Sequence, residues 1–410
     1  MTAPTFGMTF TRVFDEPVPV LGADFSKILI IETSEDANAD TYPLDTAVRI
    51  STGDSAKVAD LGTGMLAAYV QGINDQLSDL NSGADVTIVR VAEGADTLAT
   101  CANIVAVLNA ITDIPSAVNA TPRIVLAGRT AWRADLDTTN PVIAALEANL
   151  GKILAVAVVD VDDTSAANAI DARETMSSER LMPVGVAARV YEGEVLVTRP
   201  MSPRVAGLMV RVDNSTGGTP FDPFANRAIY GLAGLSRKIP FSLLDGSTEG
   251  QQLLEANVAI VAEGETGVDG AISDGGYVFI GTDNAATGEL FEQIHQVRGT
   301  DYIVTELIQI TRQFLGRKMS ADTVEAWINS IQFKLRDHKA ADHILGYSPR
   351  DAMFTADQNS PENLRLGRIH LDIGIEPAPV FKVAEHEIRR YLPAVEGLVN
   401  EIVSRLTSSA

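Results

Sequence analysis

The sequence predicts a multidomain protein that combines an α/β part, built on a parallel sheet, with an α+β part that has extended strands towards both ends of the chain. Three observations lead to this prediction. Strand and helix patterns alternate between about residues 97 and 212, which is typical of a parallel sheet with helices on its faces. After residue 240, strands broken by glycine and aspartate give way to long helical patterns. Period-two alternation near residues 8 and 370 predicts the extended strands.

Residues 1–24 are predicted to form an extended arm. In GMTFTRVF, Met8 and Phe10 alternate with polar residues, and the two prolines of the following DEPVPVLGAD disfavour a helix. Residues 25–96 contain a short apolar strand (KILIIE), a helix with apolar residues at helical spacing (LGTGMLAAYVQGINDQLSDL) and a second strand (DVTIVRV). We assign this second segment to the N-terminal α/β part of the core.

Residues 97–239 are predicted to form an α/β domain. LATCANIVAVLNAI predicts a helix and PRIVLAG a strand. NPVIAALEANLGK predicts a second helix, with Asn140 as its N-cap and Pro141 in its first turn. The continuous apolar run ILAVAVVDV is typical of a parallel strand that is buried on both faces.

Residues 240–392 are predicted to form an α+β domain. NVAIVAEGETGVDGAISDGGYVFIGTD predicts strands separated by turns, and YIVTELIQITRQFLG predicts a long helix. A second long helix, capped by Ser320, is predicted through SADTVEAWINSIQFKLRDHKAADHILG. RIHLDIGIEP, at 368–377, predicts a half-buried strand that has no hairpin partner next to it. The final segment, 393–410, is assigned to an amphipathic helix and tail.

Composition excludes several functional classes. The formal net charge of −22 argues against nucleic acid and anionic membranes, because both require clustered basic residues. A single cysteine, Cys101, excludes an internal disulfide framework and a thiolate zinc cluster. The N-terminus lacks the basic and apolar regions of a signal peptide, and no apolar run approaches the ~20 residues that span a bilayer. We therefore expect no membrane insertion and a cytoplasm-like compartment.

The motifs that could carry chemistry are weak. GTGMLA matches a dinucleotide fingerprint at Gly62 and Gly64, but no strand delivers it, so an ordinary turn into a helix is favoured. DVDDTS follows a predicted strand, where Asp160 could act in catalysis or stand in a solvated turn. His338 and His343 lie five residues apart, which is not the spacing of a zincin pair. We predict no enzyme activity, no cofactor and no metal site.

One stretch of the chain is basic. Between residues 312 and 350, seven basic residues stand against four acidic ones, a local charge of +3 in a chain of −22. Two interpretations remain open: a solvated helix face, or a surface that contacts an acidic partner or an acidic neighbouring copy. The basic residues in question, besides Arg350, are Arg312, Arg317, Lys318, Lys334, Arg336 and Lys339.

The order of these features resembles the sheath proteins of contractile phage tails and, more distantly, the sheaths of R-type bacteriocins and type VI secretion. The resemblance starts with GMTFTRVFDEPVPVLGADFSKILIIE and VTIVRV and continues through RPMSPRVAGLMVRVDNSTG, PFANRAIYGLAGL and QVRGTDYIVTELIQ, which carries Arg298. It ends with LRLGRIHLDIGIEPAPVFKVAEHEIRRY. The ordered series, which covers most of the chain, carries the resemblance rather than any single motif.

The resemblance implies a structural subunit whose hexameric rings stack helically around an inner tail tube. Collective contraction would drive the tube through the host envelope for penetration and genome ejection. The implied partners are further copies of the chain, the inner tube protein, and the baseplate and tail terminator proteins, with no direct contact to nucleic acid. The implied location is the virion tail, assembled in the host bacterial cytoplasm. The α/β domain is expected to have the subtilisin-like topology of the family without its protease residues.

Neighbouring subunits in this family are linked by β-strand addition. The residues expected in the linking strands are Met8, Phe10, Arg12 and Phe14 near one end, and Ile369, Leu371, Ile373 and Ile375 near the other. The basic residues between 312 and 339 are expected to face the tube or a neighbouring copy. Two alternatives stay open: another self-assembling structural protein and, with less support, an α/β-fold enzyme with carboxylates near Asp160.

Overall fold

The computed structural model describes residues 20–21, 24–135, 138–286, 288 and 291–408. The chain divides into two compact units, Met1–Ala378 and Pro379–Ala410. Four of the predicted linking residues lie outside the described residues: Met8, Phe10, Arg12 and Phe14.

The described strands run in chain order as β1 Val20–Leu21, β2 Ile28–Thr33, β3 Ala47–Ser51, β4 Gly83–Val91, β5 Ile124–Ala127, β6 Val156–Asp160, β7 Leu181–Val184, β8 Ala188–Glu192, β9 Val195–Arg199, β10 Arg227–Ala228, β11 Gly234–Leu235, β12 Ile260–Glu263, β13 Tyr277–Ile280, β14 Ile344–Tyr347 and β15 Ile375–Pro377. The described α-helices are α1 Ser55–Ala59, α2 Met65–Leu77, α3 Thr97–Asn109, α4 Ile114–Val118, α5 Pro141–Asn149, α6 Ala166–Glu174, α7 Ser202–Ser215, α8 Glu249–Glu255, α9 Ile294–Arg312, α10 Ala321–Ala340, α11 Arg350–Met353, α12 Pro361–Arg365 and α13 Leu392–Ser408. Short 3-10 helices cover Asp24–Ser26, Ser78–Leu80, Ile111–Asp113 and Leu150–Ile153.

A seven-stranded sheet lies at the centre of the larger unit. Its strand order is β1-β4-β2-β5-β6-β7, with β3 paired to β4. The pairs along this path are parallel, and only β3 is antiparallel to its partner. Strands β2 and β4 are buried along their whole length, and helices α2, α3 and α7 contact the sheet. The predicted parallel sheet with helices on its faces is therefore confirmed.

This sheet crosses the predicted boundary between residues 96 and 97. Strands β1 to β4 precede the boundary and β5 to β7 follow it, and β2 pairs directly with β5. Even Val20–Leu21, at the end of the predicted arm, pairs with β4. Side chains from both sides of the boundary, such as Ile30 and Val158, belong to one apolar core. The segments 25–96 and 97–184 therefore share one sheet and one core.

Three smaller sheets complete the described strands: β11-β8-β9, β10-β13-β12 and the two-stranded β14-β15. Strand β12 and helix α8 place Ile260 and Leu253 in the same core as the central sheet. The first part of the predicted α+β domain, which starts at residue 240, therefore packs onto the α/β part.

A second, smaller core lies between α9, α10 and β14. Its buried residues include Ile303, Leu335 and Ile344. Helix α9 joins the two cores, because Ile294 near its start belongs to the main core and Ile303 to the second. The predicted long helices are confirmed here, and α9 begins earlier than its pattern indicates.

The predicted helix over 320–346 is wrong at its C-terminal end. Helix α10 ends at Ala340, and Asp342 adopts a left-handed backbone conformation with φ 58°, which an α-helix cannot accommodate. The chain then enters strand β14 at Ile344. The short apolar run at Ile344 fits both the helical period of 3.6 residues and the strand period of two, so the pattern cannot distinguish a helix from a strand there.

The predicted strand over 368–377 is confirmed only at its end. Residues 369–374 form no regular strand, whereas Ile375–Pro377 form β15 and pair antiparallel with β14. No hairpin partner lies next to this strand in the sequence, and its partner β14 comes from the C-terminal end of the region that the pattern predicts as helix.

Candidate assembly surfaces

The β14–β15 sheet is a small platform built on the second core. Leu371, Ile373 and Ile375 pack against that core, and Ile344 is fully buried in it. The backbone N–H of Ser348 donates to the carbonyl of Gly374 at 2.9 Å. Within the part of the chain that the structure describes, neither strand pairs with a third strand. The outer edges of this sheet are therefore open to strand addition, since a two-stranded sheet is marginal by itself.

The segment 379–391 follows the platform and begins the second unit. It has neither helix nor strand, and its large apolar side chains are exposed. Phe381 is 85% exposed and Ile388 is 95% exposed. Large apolar side chains that are this exposed over a continuous stretch often mark an interaction surface. A run of this kind is typical of a segment that acquires its contacts on assembly.

Helix α13 is amphipathic and has no buried residue. Its apolar side chains recur at helical spacing and are each about half exposed or more: Val395, Leu398, Val399, Ile402, Val403 and Leu406. The amphipathic helix predicted from the sequence is confirmed. Its apolar face marks a contact surface, because isolated helices of this length gain most of their stability from packing.

The structure separates the basic residues into two groups at opposite ends of α10. Arg312, Arg317 and Lys318 lie at and after the end of α9, all exposed. The other three, Lys334, Arg336 and Lys339, lie on the last turns of α10. Thirteen helical residues, 321–333, separate the groups, a distance of roughly 20 Å along the helix. They therefore form two surfaces rather than one patch.

Not all of these cations are available to a partner. Lys334 Nζ lies 2.8 Å from Glu306 Oε1, and Arg336 lies 3.4 Å from the Asp337 carboxylate. Arg317 stacks over the ring of Phe314, 5.3 Å from its centroid. Among the described residues no acidic side chain pairs with Arg317, Lys318 or Lys339.

A histidine pair connects the basic end of α10 to the platform. His338 Nε2 lies 2.5 Å from Glu306 Oε2, and the Nδ1 atoms of His338 and His343 lie 3.0 Å apart. The His343 ring stacks on Phe221 at 4.0 Å. Because one Nδ1 must donate and the other accept, the contact requires that at least one of the two Nδ1 atoms is unprotonated.

We expect this pair to make the protein sensitive to acid. Two effects lower the pKa of His343 below 6.5: the larger is burial of the imidazole, and the smaller is repulsion by the neighbouring His338. The unfolded chain therefore binds this proton more readily than the folded one, so stability falls as the pH drops below about 6.5. Urea unfolding of wild type and His343→Gln at pH 7.5 and 5.5 checks this. The variant should lose less stability on acidification, and an equal loss in both proteins would contradict the assignment.

The comparison with His343→Gln is necessary because another group works in the opposite direction. Burial raises the pKa of Asp160 to about 6, against the hydrogen bonds that it receives from Ser202 and Met201. The stability that the protonated Asp160 contributes to the folded state is present at low pH and is lost as the pH rises through about 6. This term is common to both proteins and cancels in the difference between them.

Asp160 has a structural role. Its carboxylate accepts hydrogen bonds from the backbone N–H groups of Met201 at 2.8 Å and Ser202 at 3.0 Å, and from the Ser202 hydroxyl. It therefore holds the first turn of α7, whose N–H groups lack helical partners. Among the described residues, no group of three or more His, Cys, Asp or Glu side chains could hold a metal ion.

The side chain of Asp36 occupies the space beside the GTGMLA turn. Asp36 accepts hydrogen bonds from the backbone N–H and the hydroxyl of Thr63, both at 2.7 Å, and these bonds lower the pKa of its carboxyl. A Cβ atom on Gly62, where φ is +75°, would lie 2.3 Å from Asp36 Oδ1. The turn into α2 is thus closed by a carboxylate where a nucleotide site would place a phosphate.

A buried ion pair fixes α9 against the central sheet region. The Arg298 guanidinium donates to Asp213 of α7 at 3.1 and 2.5 Å, and to the carbonyl of Phe25 at 3.0 Å. The Ser26 hydroxyl donates to the same carboxylate at 3.1 Å. Arg298 and Asp213 are each only 1% exposed. This pair ties the helix that spans both cores to α7 and to the turn before β2.

No protein-family model matches the chain. A search of curated proteins finds the tail sheath protein of Escherichia phage P2, which is 22% identical over 365 residues that cover 85% of each chain. This similarity supports the resemblance to contractile tail sheath proteins that the sequence indicates.

Solved structures agree with this chain in fold over almost its full length. A chain in the cryo-EM structure of the six-fold symmetrised anti-feeding prophage baseplate matches with a TM-score of 0.69 and 13% identity, over 95% of this chain and 99% of that chain. A chain in the PVC sheath complex, an extracellular contractile injection system in its contracted state, matches with a TM-score of 0.66 and 12% identity. The match covers 96% of this chain and 100% of that chain.

Among the residues that the structure describes, no single helix is long and apolar enough to cross a membrane. Among these residues, one pair of helical segments is long and apolar enough when taken together. The pair is α3 and Ile111–Val118, and the chain bends by 46° between them. The sequence locates the β14–β15 platform only in part, because β14 starts where α10 ends and that end has a weak local signal.

Proposed function

We propose that this chain is a sheath subunit that assembles into stacked hexameric rings around an inner tail tube, and that neighbouring subunits are joined by strand addition. The observation that carries the proposal is the exposed segment 379–391, which follows in the chain a sheet whose two strands pair with no third strand among the described residues. In the assembled sheath, this segment of one subunit adds a strand to the β14–β15 platform of a neighbour. The N-terminal arm, residues 1–24, supplies a second linking strand.

This arrangement changes which residues form the link. Leu371, Ile373 and Ile375 hold the platform in place through the second core, Ile369 lies beside it, and the crossing segment is 379–391. Main-chain hydrogen bonds between strands tolerate rotation of the subunits around the link, so rings can move without separating. In this proposal the central sheet has the subtilisin-like topology of the family and lies outside the linking sheet.

Contraction in this proposal is a change of packing between subunits from a metastable extended state to a shorter and wider state. A gain of a few kcal/mol per subunit, summed over a long sheath, supplies the work that drives the tube through the host envelope. The baseplate releases the change, and the tail terminator closes the other end. The sheath forms in the host bacterial cytoplasm and functions in the virion tail during genome ejection.

Electron microscopy of the overexpressed protein in negative stain tests the proposal directly. We expect hollow sleeves built of stacked six-fold rings. Discrete particles without helical order would indicate an enzyme or another kind of protein, and sheets or closed shells would indicate a different self-assembling structural protein.

We propose that the basic end of α10 faces the inner tube. Lys339 and Arg336 project from the last turns of the helix, and the partly exposed Lys334 is already paired with Glu306. Reversing Arg336 and Lys339 to glutamate should weaken co-sedimentation of the sheath with purified tubes by about tenfold or more, because like charges at an interface cost several kcal/mol. Reversing Arg312, at the far end of the helix pair, is the matched control. Unchanged tube binding in the double variant would remove this assignment.

A further inference from the structure

An apolar groove runs along the N-terminal half of α10, next to the β14–β15 platform. It has a volume of about 930 Å³ and is lined by α10, α11, α12 and the chain around Ile369. A second depression shares three of its lining residues and extends it towards the loop before α10. The apolar residues that shape the groove are Met319, Val324, Ile328, Phe354, Leu364 and Ile369.

Helix α13 has the form of a ligand for such a groove. Its apolar face runs from Val395 to Leu406, a length of roughly 16 Å. An amphipathic helix that places residues at i, i+3, i+4 and i+7 into an apolar groove is a recurrent mode of recognition. The two surfaces together would cover apolar area that each leaves exposed.

Charge supports the same match. Arg317 and Lys318 line one end of the extended groove, and neither pairs with an acidic side chain among the described residues. On α13, Glu396 stands at the border of the apolar face, about 20° around the helix axis from Val403. On the other border, Glu401 is already bridged to Arg405. Glu396 is therefore the carboxylate that can meet the groove's cations.

We propose that α13 of one subunit docks into the α10–α12 groove of a second copy. This inference rests on the proposed strand link, because α13 directly follows the segment 379–391 that crosses to the neighbour. The platform and the groove are built on the same second core, since Ile328 of the groove is buried in that core and Ile375 of β15 packs against it. A segment that pairs with a neighbour's platform therefore delivers α13 to the groove of that same neighbour. Thirteen extended residues reach up to about 43 Å, which leaves room for both contacts.

Cross-linking between two differently labelled chains tests the docking. One full-length chain carries Ile402→Cys, and the other carries Leu364→Cys; the natural Cys101 is buried and serves as the background in both. A short bismaleimide should join the two chains when they are mixed. The matched control is Asn400→Cys, on the polar face of the same helix, which should give less than about a tenth of that product because its thiol points away from the groove.

The outcomes separate this inference from the proposed function. Sleeves that form normally but give no cross-link between Ile402→Cys and Leu364→Cys would overturn the docking and leave the sheath function standing. A product that forms only within a single chain carrying both cysteines would show that the helix docks on its own subunit, which also overturns it. Cross-linked copies in a preparation without sleeves would support the docking and count against the sheath function.

Discussion

Replacing Arg298 by alanine should lower the free energy of unfolding by about 3–5 kcal/mol, because it leaves the buried Asp213 carboxylate without its partner. Among the described residues, Ser26 is the one remaining hydrogen-bond donor to the Asp213 carboxylate. Burial already raises the pKa of Asp213, and the Arg298 guanidinium is the main group that opposes this effect. Removing the guanidinium would therefore push the carboxyl towards its neutral form or open the junction between α9 and α7.

Urea unfolding of the unassembled protein measures this effect, with Arg336→Ala as the control. Arg336 is 64% exposed and its contact with Asp337 is 3.4 Å long, so its loss should cost less than about 1 kcal/mol. The double variant Arg298→Met with Asp213→Leu should be less destabilised than Arg298→Ala, since it leaves no buried charge unpaired. Equal unfolding free energies for Arg298→Ala and Arg336→Ala would show that the buried pair does not hold the two cores together.

The elements of the central sheet are predictable from the sequence because each has a strong local signal. β6 is a continuous apolar run, and α5 begins with Asn140, whose side chain accepts a hydrogen bond from the N–H of Val142 as expected of an N-cap. The order of the strands in the sheet is not local. Nothing in the sequence near residue 97 shows that β2 pairs with β5, because pairing depends on contacts far apart in the chain.

The proposed linking surface around β14 and β15 is difficult to predict from the sequence for a similar reason. The alternation around Ile373 correctly indicates one apolar side, but it cannot tell whether that side packs on its own chain or on another. The partner strand β14 is only four residues long and follows a helix without a glycine or proline. The one local signal is Asp342, since aspartate is among the few residues that tolerate a left-handed conformation.

Two consecutive prolines in the crossing segment, Val383→Pro and Ala384→Pro, should abolish assembly while leaving the subunit folded. Each proline removes a backbone N–H, and successive residues of a strand point their N–H groups to opposite sides. A pair of prolines therefore removes one donor towards the neighbour whichever way the strand faces. Neither residue lies in a helix, in a strand or in either apolar core, so the unfolding free energy of the monomer should stay within about 0.5 kcal/mol of wild type.

Val383→Thr with Ala384→Ser is the matched control, because it changes the same side chains and keeps both N–H groups. Sedimentation velocity and negative-stain microscopy should find sleeves for the control and monomers for the proline pair at the same protein concentration. If the proline variant still forms sleeves, segment 379–391 does not form the linking strand, and the N-terminal arm or the apolar face of α13 must join the subunits instead. The same variant gives the monomeric background in which the Arg298 measurement is free of assembly, since an exposed segment without core contacts can be altered without moving either core.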